Sequence, residues 1–265
     1  MSTSPQHHGT FYGVGIGPGD PDLLTVKAFR LIQQAPVIAY LTSSANHSHA
    51  KTIAREALAA RNDMAHEVII EMPMSLDRTL ANEAYDKGAL AIADCLTQGK
   101  DVVFLCEGDP LFFGSFAYLL ERLHDRFTCE AVPGISSVMA ASAALLQPLT
   151  LLKESFVVVS GRHSDEEIRE ALTRHSSVVI MKAGQARPRI LSQLAATGRL
   201  EQARYLEYIG RDNQKLISDV SQLANEPGPY FSLFVVLPES RSDVAEPANS
   251  NAKAKANAEA KVKHP

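Results

Sequence analysis

The chain has 265 residues, a formal net charge of −4 and 45% hydrophobic residues. That length and apolar content suit two modest domains or one large one, and the acidic balance leaves no global basic footprint for nucleic acid. No apolar run approaches the roughly 18 residues of a membrane span, and the polar residues 1–9 lack the apolar core of a signal peptide.

Phe11-Tyr12 reads as a short strand that runs into Gly13-Val14-Gly15-Ile16-Gly17-Pro18-Gly19-Asp20-Pro21. An amphipathic helix follows directly, with its apolar stripe at Leu24, Ala28, Leu31 and Ile32. Glycine lets a backbone approach a ligand because no Cβ intervenes. The turn is not a dinucleotide fingerprint: Pro18 has a locked φ and no N–H for a phosphate, and Tyr40 rather than an acid closes the next apolar run. No Gly-Lys-Ser/Thr follows, so it is not a Walker loop either. Taken singly, the turn is equally an ordinary tight turn in which Asp20 caps the helix.

Residues 37–40 and 68–70 read as strands, 80–96 as a helix, 101–106 as a buried strand and 116–124 as the helix behind it. A strand at 129–132 and a small-residue helix at 136–146 complete a βαβα rhythm, which indicates an α/β fold with a mostly parallel sheet covered by helices on both faces. His47 and His49 fall in a polar loop and His7-His8 at the polar start; none of the four carries an assigned role. Gln147-Pro148-Leu149-Thr150 breaks the rhythm, which places one α/β domain at 10–148 and a second, mixed-sheet α/β domain at 149–239. The second half shows strands at 156–160, 177–181, 204–209 and 231–237, with helices at 165–173 and after Pro188. Residues 240–265 are Ala, Asn, Lys, Glu and Pro with almost no large apolar side chain, the composition of a disordered tail. Cys95, Cys106 and Cys129 form no Cys-x-x-Cys pair, which argues against a zinc site or disulfide framework and for a reducing cytoplasm.

Two further Gly-centred turns fall at strand ends: Cys106-Glu107-Gly108-Asp109-Pro110-Leu111-Phe112-Phe113-Gly114 and Val132-Pro133-Gly134-Ile135-Ser136-Ser137. Three such turns at one edge of a parallel sheet make a pocket. It would offer backbone groups, the Ser136 and Ser137 hydroxyls, the Glu107 and Asp109 carboxylates, and apolar walls from Phe112, Phe113 and Met181. The three loops contain no Lys or Arg, which disfavours a polyphosphate and favours a ligand with a ribose, an adenine-like ring and a sulfonium. Each residue also has a plainer reading: Asp109 as a turn former, Glu107 as a rim charge, the phenylalanines as core, Ser136 as a helix cap.

The trio Gly15-x-Gly17-Pro18-Gly19-Asp20, Gly108-Asp109-Pro110 and Pro133-Gly134-x-Ser136-Ser137 resembles the tetrapyrrole-type class of S-adenosylmethionine-dependent methyltransferases, over about residues 10–238. Cys106-Glu107 ahead of Gly108-Asp109, with Asp212-Asn213-Gln214-Lys215-Leu216 and Pro229-Tyr230-Phe231-Ser232-Leu233, is most similar to the branch that methylates precorrin-2 at C20 in cobalamin synthesis. The resemblance implies two α/β domains, usually in a homodimer, with the methyl donor folded in the cleft between them and the tetrapyrrole in a trough above. It implies donor contacts from Pro18, Glu107, Gly108, Asp109, Phe112, Ser136, Ser137, Met181, Tyr208, Ile209 and Gly210. Met181-Lys182-Ala183-Gly184 departs from the more basic continuation expected there. The nucleophile would be the tetrapyrrole itself, so no catalytic side chain and no metal are assigned. Cations should line the trough, with Arg122, Lys153, Arg162 and His163 as candidates and Asp20 as a further substrate-side residue. Competing readings are cobalt-precorrin-2 as substrate, methylation at C11 or C17 of later precorrins or of uroporphyrinogen, methylation of protein or ribosomal RNA, and a nucleotide-binding module without catalysis.

Overall fold

Period-two alternation with both faces apolar builds the first sheet. In β1 (Phe11–Gly15), β2 (Val37–Thr42) and β4 (Val102–Cys106), successive side chains enter opposite layers. Phe11, Val37, Val102 and Phe104 pack beneath α4 (Arg78–Thr97) and α5 (Phe116–Leu123). Val14, Ile38, Val103 and Leu105 meet α1 (Val26–Gln34), α2 (His49–Ile53) and α3 (Arg55–Ala59). With β3 (His66–Glu71) and β5 (Cys129–Val132), the sheet order is β3-β2-β4-β1-β5, all parallel. The computed structural model describes residues 7–43, 48–73 and 78–239; His47 and the segment 240–265 lie outside them.

The second sheet is mixed, in the order β6-β7-β10-β8-β9. β6 (Phe156–Ser160) and β7 (Ser177–Met181) run parallel, while β10 (Ser232–Val236) is antiparallel to both β7 and β8 (Ala203–Glu207), and β8 to β9 (Lys215–Ile217). One face is covered by α7 (Asp165–Arg174) and α8 (Arg187–Ala196). A reciprocal capping box between Ser164 and Glu167 starts α7. The other face receives α6 (Ser137–Leu145), whose Val138, Ala140 and Ala141 pack against Val179, Leu206, Leu233 and Val235. The turn at 147–150 separates the two sheets along the chain, but by packing α6 joins the first sheet's last loop to the second sheet's core.

Several local expectations change in the structure. The chain after the first Gly-rich turn makes a 3-10 turn at Pro21–Leu23, capped by Asp20, before α1 starts; Thr25 caps α1 by accepting from the Ala28 N–H. The strand expected at 204–209 stops at Glu207, because Tyr208 turns left-handed at φ 52°. The polar stretch around His49 holds the short helices α2 and α3, too short for a periodic pattern to show. Among the described residues, no helix is long and apolar enough to cross a membrane.

Gly13 sits mid-strand because the fully buried Phe116 ring lies over it: an added Cβ would stand 2.5 Å from that ring. Gly13→Ala is expected to cost about 1–3 kcal/mol by overpacking. Phe116→Leu in the same chain should recover part of it in thermal unfolding; no recovery would mean that the ring is not what holds the position to glycine.

Candidate functional site

The first-sheet loops meet because β4, β1 and β5 are neighbours and end on the same side. Beyond the strands the loops stay joined by backbone. Gly17 and Gly108 exchange hydrogen bonds, Gly108 N–H to Gly17 O at 2.8 Å and the reverse at 3.4 Å, both with positive φ. Asp109 ties in the third loop: its Oδ2 accepts from the Gly134 N–H at 3.1 Å and its Oδ1 from the Leu111 N–H at 2.9 Å. The approach excludes side chains. A Cβ on Gly134 would lie 2.2 Å from Gly108 O, and one on Gly15 would lie 2.5 Å from Gly134 N.

The second sheet supplies the facing wall. The Gly19–Asp20 segment abuts the loop after β8: a Cβ on Gly19 would meet Arg211 Cγ at 2.6 Å and Ile209 O at 2.8 Å, and one on Gly210 would meet Asp20 N at 3.0 Å. Between the walls lies a cavity of about 280 Å³, near the small end of ligand pockets. Ten of the sequence-derived residues line it: Pro18, Glu107, Gly108, Asp109, Phe112, Ser136, Ser137, Met181, Tyr208 and Ile209. Gly210 stands just behind, against Asp20. Ser136 also caps α6, its hydroxyl accepting from the Met139 N–H.

The substrate-side candidates divide. Arg122 is not at the cavity: it pairs with Asp86 at 2.6 Å, donates to Tyr118 O and lies over the Tyr85 ring on the α4–α5 layer. Asp20 is the cap of the 3-10 turn, accepting from the Asp22 N–H. Lys153 is exposed in the turn before β6. The backbone of His163 is bound on both sides, to Ser160 O and from Arg189. None of these four lines the cavity. Arg162 follows β6 and sits within electrostatic reach of the cavity residues Lys182 and Tyr230.

Residues 10–224 match the family described as tetrapyrrole (corrin/porphyrin) methylases. The chain belongs to the tetrapyrrole methylases. It is 34% identical over 236 residues to a precorrin-2 C(20)-methyltransferase of Sinorhizobium sp, an overlap of 86% of this chain and 95% of that one. With a cobalt-precorrin-2 C(20)-methyltransferase of Salmonella typhimurium it shares 30% identity over 231 residues, 86% of this chain and 96% of the relative. The solved structure of a cobalt precorrin-4 methyltransferase has the same fold, with a TM-score of 0.69 at 20% identity over 89% of this chain and 97% of the other.

In this tetrapyrrole methylase the cations that the three loops lack come from the opposite wall. Arg211 reaches across to Glu107 at 3.0 Å, stacks on the Phe231 ring at 3.9 Å and places Nη1 3.2 Å from His49 Nδ1. Burial raises the Glu107 carboxyl above its ordinary value, and the Arg211 charge opposes that rise. Lys182, left-handed at φ 53°, donates to Phe113 O at 3.1 Å. Its ammonium is held below the usual lysine value by burial and then by Arg162. Sequence reasoning missed Arg211 and His49 because each is distant from the loops along the chain; the only local sign was a position just past a strand end or apolar run. The absence of basic residues holds for the loops themselves and not for the site.

The acids and the thiol at the cavity are already engaged or buried. Both Asp109 oxygens are occupied by backbone N–H groups, and Glu107 is engaged by Arg211. Burial pushes the Cys106 thiol well above its ordinary value, which leaves it a poor nucleophile. The rest of the lining combines apolar surface and backbone with serine hydroxyls, Tyr208, Tyr230, Lys182 and Arg211.

Gly134→Ala must displace backbone rather than a flexible side chain, so a loss of about 1–3 kcal/mol or more is expected, together with weakened ligand binding at the cavity. Unchanged thermal unfolding would show that the loops do not need their observed approach. Arg211→Met leaves Glu107 partly buried without its partner and should cost about 1–3 kcal/mol after allowance for solvent access. Adding Glu107→Gln should restore part of that loss in a double-mutant cycle; strictly additive effects would argue that the pair carries no coupling.

Proposed function

We propose that this chain transfers a methyl group from S-adenosylmethionine to C20 of precorrin-2, giving precorrin-3A and S-adenosylhomocysteine. The observation that carries the reading is the 34% identity to a precorrin-2 C(20)-methyltransferase across 95% of that protein. The cavity supports it. Its apolar walls and carbonyl-rich glycine loops suit a sulfonium donor whose acceptor is itself electron-rich.

The donor supplies an electrophilic methyl carbon; this chain's residues supply position. Pro18, Gly108, Ser136 and Ser137 would hold it from the first sheet and Met181, Tyr208 and Ile209 from the second, with Gly210 supporting that wall. Phe112 would cover it, and Glu107 would act through its ion pair with Arg211, since that carboxylate is already engaged. Asp109 would shape the site by holding Gly134 rather than by touching charge on the donor. Rate would come from holding methyl and acceptor carbon in line at about 3–3.5 Å, and from keeping water off the sulfonium. A homodimer in a reducing cytoplasm accords with the family resemblance and with three free cysteines, two of them buried.

A second reading takes cobalt-precorrin-2 as substrate, favoured by the 30% identity to the enzyme of that name. Incubation with precorrin-2, with and without cobalt, and a carbon-labelled donor is expected to place one new methyl at C20 by NMR. Label at C11 or C17 would move the chain to another branch of the family. Separate titrations with S-adenosylmethionine and NAD should show binding of the first alone; NAD binding without the donor would end the methyltransferase reading.

A further inference from the structure

Lys182 lines the cavity, and Arg162 leaves the neighbouring strand end close enough to act on its charge. Lys182 follows β7 and Arg162 follows β6, adjacent parallel strands in which Ser160 pairs with Met181 and the Gly161 N–H donates to Met181 O at 2.7 Å. The approach is tight: a Cβ on Gly161 would meet Lys182 O at 2.7 Å. Among the described residues neither side chain forms an ion pair. The acid on the far side, Glu107, is engaged by Arg211. Arg162 repels the Lys182 charge and favours ionisation of the neighbouring Tyr230 phenol, which burial opposes. Lys182 and Phe113 are held in the left-handed region, at φ 53° and 55°, which costs free energy and persists where surrounding structure imposes it. Phe112, Phe113 and Tyr230 are exposed at the same rim, Tyr230 by 56%.

We propose that Lys182 and Arg162, with the Tyr230 hydroxyl, form a subsite for one carboxylate of the tetrapyrrole at the mouth of the cavity. Parallel-strand ends are where such sheets place ligands. A single carboxylate between two like charges relieves their mutual repulsion, so the pair favours an anion more than either cation would alone. The exposed aromatic rim gives the macrocycle edge an apolar surface beside the charge. This inference rests on the tetrapyrrole reading above, and it differs from a grip on the donor's own carboxylate, which has the same chemistry.

The test uses uroporphyrin III as a polycarboxylate tetrapyrrole probe, followed by fluorescence, and S-adenosylhomocysteine as the donor-side probe, followed by calorimetry. Lys182→Met and Arg162→Ala should each weaken uroporphyrin binding by about fivefold or more, in keeping with loss of a charge-assisted contact. Lys182→Arg should retain most of it, and S-adenosylhomocysteine affinity should stay within about twofold in Arg162→Ala. Arg162 is exposed, so that variant tests the subsite even where Lys182→Met folds poorly. Uroporphyrin binding at wild-type strength in Arg162→Ala overturns the subsite. Weakening of S-adenosylhomocysteine alone overturns it too, assigning the cations to the donor. Wild-type protein that binds S-adenosylhomocysteine but no uroporphyrin overturns the subsite and spares the donor reading; protein that binds neither overturns both.

Discussion

Everything at the site depends on how closely three backbones approach. Gly15 and Gly134 meet where a Cβ would come within 2.2–2.8 Å of main-chain atoms, Gly108 O among them, and Gly108 itself sits at a left-handed φ of 69°. Parallel neighbours β4, β1 and β5 bring the loops to one edge, but only the missing side chains let them interlock. Asp109 then spends both carboxylate oxygens on backbone N–H groups of its own loop and the third. A rigid floor results, made of main chain rather than side chains, which a ligand can approach closely.

The floor becomes a site because the second sheet is fixed against it. Gly19 and Gly210 let the first loop and the loop after β8 touch. Arg211 spans the same gap to Glu107, while Lys182 reaches Phe113 O. Helix α6 starts from the third loop and buries its apolar side in the second sheet's core. The two sheets are therefore coupled at the cavity itself. The walls are linked by backbone contact, by the Lys182–Phe113 hydrogen bond and by the Arg211–Glu107 ion pair.

The electrostatics are divided by depth. Inside, Glu107 is paired with Arg211, while the Asp109 carboxylate is held by backbone N–H groups and has no cation partner among the described residues. At the mouth, Lys182 and Arg162 have no acid partner among the described residues, so the rim is positive. Carboxylates inside and unpaired cations at the rim accord with the cationic donor and polyanionic acceptor proposed above.

Much of this was legible from the residues. Strand periodicity marked the parallel sheet, and Gly-Pro-Gly-Asp, Gly-Asp-Pro and Pro-Gly-x-Ser-Ser marked the loops, because glycine and proline restrict the backbone locally and leave that restriction in the sequence. Ten lining residues followed from those motifs and from the family resemblance. Short α2 and α3 escaped, since five residues cannot display a helical period. Arg122 was misplaced because a basic residue reads alike whether it faces a trough or pairs with Asp86 on a neighbouring helix. The sequence by itself determined the fold class, the three loops and their need for glycine, all consequences of local backbone chemistry. Only the tertiary structure decided which charges meet there: Arg211 with Glu107, 104 residues apart, and Lys182 beside Arg162. Such pairing is set by how two sheets pack, and no local pattern encodes it.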